Sequence, residues 1–323
     1  MADPNFSEIV TTTLRNRTGA LADNISENNA LLNRMKKKGS LETVSGGRTI
    51  VQELEYAENA SAQWYSGYEQ VNINPSDVFS AAEFDWKQAS VAVSASGLEV
   101  EVQNTGKEAI IKLASKRISN AEKTMANLIA TALYADGTGT TSKEIGGLQL
   151  LVPDDPTTGT VGGISRVTWT FWRSLVYDAS SDGGAAASAA NIQAYINTIY
   201  NRAVRGTDHT DLIMADSNYY GFFESSLQAI QRITDPEMAT LGYESLKYKG
   251  AAVVLDGGVG GNCPTNHMYG LNSEYIKFRP HSGRNMVPLE KVQAINQDAT
   301  VKLIVFAGNM TLSNAMLQWV LKA

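Results

Sequence analysis

The sequence has few of the residues that build catalytic and metal sites. Cys263 is its only cysteine, which excludes an intrachain disulfide framework and fits a reducing compartment. The histidines are His209, His267 and His281, and none stands in an H-x-x-x-H or cysteine-paired spacing. Cys263 and His267 are four residues apart, but no other candidate ligand is close to them in the chain. We therefore predict no metal site and no cofactor.

Long apolar runs and an excess of positive charge are also missing. No run approaches the roughly 18 apolar residues of a membrane-spanning helix. The segment MADPNFSEIV lacks the basic and apolar regions of a secretory signal. The formal net charge is −6 and the pI is about 5.2. A protein that binds nucleic acid by neutralising phosphates is usually basic, so this chain is expected to enclose or repel nucleic acid rather than neutralise it.

Two glycine-rich segments raise the alternative of a nucleotide-binding enzyme. LDGGVGGN (residues 255–262) follows a predicted strand, but it lacks the Lys-Ser/Thr of a phosphate-binding loop, and Pro264 makes a helix start uncertain. DGTGTTSK (residues 136–143) also misses the required spacing, and a turn is the simpler interpretation of both segments. Asp235 and Glu237 flank a proline in what reads as a solvated turn, and no G-x-S-x-G motif is present. No set of residues therefore indicates catalysis.

Two strand-like segments predict a long β-hairpin arm. Arg48–Asn59 alternates in part between apolar and acidic residues, and Glu83–Gly97 is a second long strand with a bulge near Lys87–Ala89. Residues 58–82 would lie at the end of the arm. An isolated hairpin is marginally stable in water, and the chain offers no adjacent core. We therefore expect the arm to lean on another surface.

The strongest helical pattern follows the arm. Thr105 and Glu108 form a capping-box pattern, and Asp136 and Gly137 end the segment. A helix of about 30 residues would be about 45 Å long and would lie like a rod across a sheet. The predicted packing seam consists of Ile111, Ala114, Ile118, Ala121, Met125, Leu128 and Ala132, with Ile111, Ile118, Met125 and Leu128 as its principal packing residues.

The remaining chain predicts alternating helices and strands. Residues 148–152 indicate a short buried strand, and the α/β pattern begins at Trp169. A helix is predicted over residues 189–206 and a buried strand over residues 211–216. VKLIVFA (residues 301–307) is apolar on both faces, which is typical of a central strand.

Several long segments carry a resemblance to a known family. They are GGRTIVQELEYAENASAQWYSGYE, PSDVFSAAEFDWKQASVAVSASGLE, ISNAEKTMANLIATALYADGTG, IGGLQLLVPD and TGTVGGISRVTWTFWRS. Together with the order of the elements, these segments resemble the major capsid proteins of tailed bacteriophages, which have the Hong Kong ninety-seven type fold. The resemblance extends from about Gly46 to the C-terminus.

The resemblance implies an α+β architecture in four parts. It predicts an N-terminal arm (residues 1–45) and an extended β-hairpin loop (46–97). A peripheral domain with a long spine helix would comprise residues 98–167 and 286–323, and an axial α/β domain residues 168–285. The loop would lie over a neighbouring subunit, which gives its aromatic residues a place to be buried. The predicted contact residues are Trp64, Tyr65, Tyr68, Val71 and Phe79.

The resemblance also implies a function and partners. The chain would assemble into hexamers and pentamers of an icosahedral shell that encloses double-stranded DNA without sequence-specific binding. A separate scaffolding protein is expected because only about 45 residues precede the loop. A portal protein and, as an optional addition, a decoration protein are further expected partners. The protein would be located in the virion and assembled in the host cytoplasm. Two alternatives stay open: an encapsulin-like compartment shell, and an α/β nucleotide-binding enzyme.

Overall fold

The computed structural model of the chain describes residues 30–96, 107–227, 245–258, 260–289, 292–293 and 299–323. The right-handed α-helices of the described residues are α1 (Ala30–Lys37), α2 (Lys107–Ala132), α3 (Leu148–Leu151), α4 (Ile192–Arg202) and α5 (Ser217–Ser226). The strands of the first half are β1 (Ile50–Glu55), β2 (Phe79–Phe84), β3 (Lys87–Ser96), β4 (Thr160–Val161), β5 (Ile164–Ser165) and β6 (Leu175–Asp178). The strands of the second half are β7 (Leu212–Ala215), β8 (Ser245–Tyr248), β9 (Ala251–Leu255), β10 (His267–Leu271), β11 (Ile276–Pro280), β12 (Val287–Pro288), β13 (Val292–Gln293), β14 (Ala299–Leu312) and β15 (Trp319–Lys322). Across the ranges given above, no helix is long and apolar enough to cross a membrane.

Strands β1 and β2 form the hairpin arm. Their antiparallel register runs from Ile50 opposite Phe84 to Glu55 opposite Phe79, so residues 56–78 form the long connection at the end of the arm. The inner ends of both strands are anchored in the core, because Ile50 and Phe84 are buried. The outer end of the arm therefore carries its long loop away from the anchored end.

The prediction of one strand over Glu83–Gly97 is wrong. The chain leaves β2 after Phe84 and begins β3 at Lys87, and β3 pairs with β14 rather than with β1. The corner between the two strands is fixed by a hydrogen bond that the Trp86 indole Nε1 donates to the Gly47 carbonyl oxygen over 3.0 Å. The shift in alternation that suggested a bulge is the point where the chain changes sheet.

Six described strands form a mixed sheet in the order β6-β15-β10-β7-β9-β8. The pairs β15–β6 and β7–β9 are parallel, and the other pairs are antiparallel. Leu212 and Met214 of β7 belong to one apolar core, whereas Ile213 and Ala215 belong to a second core with the buried residues of α4 and α5. The predicted helix over residues 189–206 and the buried strand over residues 211–216 are confirmed as α4 and β7.

Strand β14 is the centre of a second sheet. It pairs with β3 along one edge and with β11, β12 and β13 along the other. Phe306 of β14 is buried and stacks on Phe278 of β11, with ring centroids 5.7 Å apart. The predicted central strand over residues 301–307 is confirmed.

Helix α2 packs on this second sheet through a stripe that differs from the predicted seam. Ala121, Met125, Ile129 and Leu133 form a buried stripe with a step of four through its C-terminal half and the turn that follows, and Ala130 and Tyr134 are buried beside this stripe. Leu128 is 49% exposed, so its assignment to the seam is wrong. After Met125 the stripe continues by a step of four to Ile129, not by the predicted step of three. Ile118 is partly buried, and the side chain of Ile111 lies outside the described residues.

The predicted strand over residues 148–152 is also wrong. The segment forms the short helix α3, whose Leu148 and Leu151 are buried. The Arg166 guanidinium is buried beside it and donates hydrogen bonds to the carbonyl oxygens of Leu150 (2.9 Å) and Leu151 (2.6 Å). The carbonyl groups at the end of a helix lack partners within the helix. The Arg166 guanidinium supplies donors for them and thereby stabilises the helical turn.

Candidate assembly interface

The end of the hairpin arm presents large apolar side chains to solvent. Trp64 and Tyr68 have relative exposures of 102% and 107%, so they make essentially no contact with their own chain. Tyr65, Val71 and Phe79 are also among the exposed large hydrophobic residues. The structure therefore places all five predicted contact residues on one projecting element. Grouped exposed apolar residues mark interaction sites more often than scattered ones do.

Local hydrogen bonds shape the loop that carries these residues. The Gln63 side-chain amide donates to the Gln70 carbonyl oxygen over 3.1 Å, which braces the two sides of the aromatic segment. The backbone N–H of Ser66 donates to the Glu69 carboxylate over 3.0 Å, and the backbone N–H of Ser61 donates to the Asn59 side chain over 2.9 Å. Such side-chain to backbone bonds are how Asn and Ser specify turns. The aromatic rings are therefore displayed by a braced loop.

An aromatic cluster fixes the arm where the loop begins. The Tyr56 ring lies 5.6 Å from Trp169 and 5.5 Å from Phe171, and Trp169 and Phe171 are 5.9 Å apart. The backbone N–H of Glu83 also donates to the Gly162 carbonyl oxygen over 3.0 Å. We call Tyr56, Trp169 and Phe171 the aromatic clamp. Sequence reasoning missed it, although the dense aromatic run TWTFW was a visible signal.

Groups of the protein itself form hydrogen bonds at and beside the glycine-rich turn after β9. Asp256 is buried and accepts a 2.6 Å hydrogen bond from the Tyr134 hydroxyl. Burial, followed by the charge of Asp256, raises the pKa of Tyr134. At the neighbouring N-terminus of α5, the Asp216 carboxylate accepts from the backbone N–H groups of Tyr219 (2.9 Å) and Asn266 (2.8 Å). A carboxylate at that helix end takes the place that a phosphate would need and would repel it. These contacts favour the interpretation of residues 255–262 as a turn.

Comparison with known proteins gives the fold. No protein-family profile matches the chain, and no curated protein is significantly similar to it. The capsid of Cyanophage A-1(L) superimposes with a TM-score of 0.70 at 17% identity, covering 97% of each chain. The capsid of a native GTA particle gives 0.60 at 11% identity, covering 100% of this chain and 95% of the other. The capsid of Myoviridae Phage XM1 gives 0.57 at 11% identity over 96% and 97%.

This chain has the phage capsid protein fold. The expected α+β fold of the Hong Kong ninety-seven type is confirmed over nearly the whole chain. At such identities the comparisons establish the fold, so function has to be argued from the surface. Within the part of the chain that the structure covers, no group of three or more His, Cys, Asp or Glu residues is arranged to hold a metal ion.

An ion pair in this capsid fold joins the segment after α3 to the six-stranded sheet. His267 Nε2 lies 3.1 Å from the Asp154 carboxylate, and Nδ1 lies 2.8 Å from the Thr265 carbonyl oxygen. With Nδ1–H donating to that carbonyl, the ring must also be protonated at Nε2 to donate to Asp154. Burial acts to lower the pKa of His267, but the hydrogen bonds to Asp154 and Thr265 and the Asp154 charge outweigh it and raise that pKa. The hydrogen bond from His267 in turn lowers the pKa of Asp154.

This pair predicts a pH-dependent stability. A raised pKa of His267 means that its contribution is complete below the unfolded value of 6.5 and is lost as the pH rises through the folded pKa. Asp154 contributes above its ordinary value of 3.8 and loses that contribution as the pH falls through its lowered pKa. Asp154→Asn is therefore expected to lower the thermal midpoint more at about pH 5.5 than at about pH 9. Calorimetry at both pH values checks this, and the difference should vanish in a His267→Gln background. An equal loss at both pH values would contradict it.

Proposed function

We propose that this protein is the major capsid protein of a tailed bacteriophage and that many copies assemble into an icosahedral shell around a double-stranded DNA genome. One observation supports this most directly: a chain with the phage capsid protein fold over nearly its full length also projects an arm whose aromatic residues are fully exposed in the single subunit. The rings of Trp64 and Tyr68 contribute no packing contacts to the single subunit, whereas buried aromatic residues commonly dominate subunit contacts. The role is structural and involves no catalysis.

The proposal assigns a task to each part of the chain. Residues 1–45 are an N-terminal arm, and residues 46–97 contain the extended loop that lies over a neighbouring subunit. Residues 98–167 and 286–323 form the peripheral domain around α2. Residues 168–285 form the axial domain, which gathers at the five-fold and six-fold centres.

The proposal also includes partners. Copies of the chain form hexamers and pentamers, guided by a separate scaffolding protein and joined at one vertex by a portal protein. A decoration protein is an optional addition. The genome is enclosed without sequence-specific binding, which agrees with a formal net charge of −6. Assembly takes place in the host cytoplasm, and the product is located in the virion.

We predict that the purified protein, supplied with the scaffolding protein of its own virus where assembly requires it, forms closed particles in the megadalton range. Velocity sedimentation and negative-stain electron microscopy measure this outcome directly. Particles from productive infection should also protect double-stranded DNA from nuclease, whereas an encapsulin-like shell should contain a protein cargo. A chain that stays monomeric in the presence of its scaffold would contradict the proposed function.

A further inference from the structure

The corner between β2 and β3 (residues 85–87) is tied to separate parts of the subunit. The Asp85 carbonyl oxygen accepts a 2.8 Å hydrogen bond from Asn309 Nδ2, which belongs to β14. Lys87 Nζ donates over 2.7 Å to the Ser142 carbonyl oxygen, in the segment between α2 and α3. Together with the indole hydrogen bond that lies between them in the chain, these contacts give each residue of the corner its own partner. The direction in which the arm leaves the subunit is therefore set at the corner.

Lys87 holds a turn with an unusual backbone. Thr140, Thr141 and Ser142 have φ values of 46°, 60° and 61°, so three consecutive residues lie in the left-handed region and none of them is glycine. Residues other than glycine visit this region singly rather than in runs, because the side chain then crowds the backbone. Such strain persists only where the surroundings hold it, and it is concentrated at sites that switch or are preorganised. We call residues 140–142 the left-handed turn.

Few contacts hold the left-handed turn in place. Besides the bond from Lys87, the Thr140 hydroxyl donates to the Glu144 carboxylate over 2.8 Å within the same segment. The side chain of Thr141 is exposed and has no hydrogen-bond partner among the described residues. Among those residues the Lys87 ammonium also forms no ion pair, so the Ser142 carbonyl is its polar partner. The bond from Lys87 is therefore the contact through which the rest of the described subunit holds the turn.

The segment that contains the turn is also joined to the end of α2 and, by a second route, to the corner. The backbone N–H of Leu148 donates over 2.7 Å to the carbonyl oxygen of Leu133, which directly follows α2. The Asn309 side chain is buried, and its Oδ1 accepts a 3.1 Å hydrogen bond from the backbone N–H of Gly146. Since Asn309 also holds the corner, the corner is joined to this segment at both Ser142 and Gly146. A movement of the corner therefore has to change the segment as well.

We propose that Lys87 and the left-handed turn form a latch that sets the direction of the arm. In the closed latch, Lys87 holds the turn in its strained backbone conformation, and the turn fixes the corner in return. When this hydrogen bond breaks, the turn relaxes to ordinary backbone dihedral angles and the arm takes a second direction. Coupling between two such elements is reciprocal, so a contact that redirects the arm also changes the segment at the end of α2. The latch is a property of the single subunit and goes beyond the proposed function.

Glycine substitutions test the strain in the left-handed turn. Thr141→Gly should raise the thermal midpoint by about 1–3 °C, because glycine adopts a positive φ without steric cost. The matched control is Thr168→Gly, which changes an exposed threonine in a turn that has no positive φ at this position. The control should lower the midpoint, since glycine ordinarily increases the conformational entropy that is lost on folding. Calorimetry of the unassembled chain measures both variants, and an equal fall of the midpoint in the two would overturn the latch.

Distance measurements test the coupling to the arm. Spin labels are attached to Ser66→Cys in the arm loop and to Val204→Cys, which is exposed and lies after α4, in a Cys263→Ala background. We expect one narrow distance distribution in this labelled chain and a second population when Lys87→Met is added, because methionine keeps a similar length but removes the donor. The matched control Lys143→Met removes the same charge from an exposed lysine beside the turn and breaks no hydrogen bond, so it should leave the distribution unchanged.

Two further measurements complete the test. Lys87→Arg keeps a charged donor and should keep the single population. Amide hydrogen exchange in residues 139–144 should be faster in Lys87→Met than in Lys143→Met, because a relaxed turn is less protected. Unchanged distances and exchange in a Lys87→Met chain that is folded by circular dichroism would overturn the latch, and Thr141→Gly decides independently if that chain does not fold. All these measurements use the unassembled subunit, so their failure would leave the proposed function standing.

Discussion

The double substitution Trp64→Ala with Tyr68→Ala should leave the thermal midpoint of the isolated subunit nearly unchanged and should prevent stable shells from forming. Both rings are fully exposed, so their removal takes no apolar contact away from the subunit. Truncating a buried interface aromatic commonly costs about 2 kcal/mol or more. A closed shell repeats that loss at every equivalent contact, which makes the effect on assembly large. Calorimetry on unassembled protein and electron microscopy of the assembly reaction measure the two outcomes.

Two controls separate the arm from the subunit core. Met316→Ala removes an exposed apolar side chain (51% exposed) that lies between β14 and β15 and not on the arm. We expect this variant to fold and to assemble. Trp172→Ala removes a fully buried indole and should lower the midpoint strongly, since such truncations typically cost about 3–5 kcal/mol. If the Trp64 and Tyr68 double variant lowered the midpoint and still assembled normally, the rings would belong to their own subunit in solution.

Local pattern in the sequence was sufficient for elements with a continuous apolar run or a clear helical period. The strands β7 and β14 are apolar on both faces, the helix α4 has an amphipathic period, and each lies where the pattern predicts. The pairing of β3 with β14 joins segments about 200 residues apart, and nothing in the alternation of β3 identifies its partner. The prediction from sequence therefore paired β3 with the nearest strand-like segment.

The candidate site was predictable in part for a related reason. Aromatic residues among turn formers indicate a loop whose rings have no core of their own, and this pattern is visible in the sequence alone. The open apolar surface beside Leu128 is different, because residues of β3, α2 and the turn at Thr140 come together there from three separate parts of the chain. Leu128 shows the limit most clearly: its spacing suits the packing seam, and only the three-dimensional phase of the helix reveals that it points to an open surface.

The orientation of α2 about its own axis determines a second large effect, on the folding of the subunit. Met125→Asp should abolish the soluble folded subunit, whereas Leu128→Asp, the same kind of change one turn away on the same helix, should leave the subunit folded. Met125 is fully buried in the main apolar core. A carboxylate without a partner there costs several kcal/mol, which is comparable to the total stability of about 5–15 kcal/mol for a typical domain.

Leu128 is the matched control because its side chain already contacts water. Circular dichroism and thermal unfolding of both variants measure the difference in folding. Equal and mild loss of stability in both variants would contradict the buried stripe through Ala121, Met125 and Ile129. Loss of folding in Leu128→Asp alone would place Leu128, not Met125, against the sheet and would contradict the orientation of α2. The two substitutions therefore test the orientation of α2.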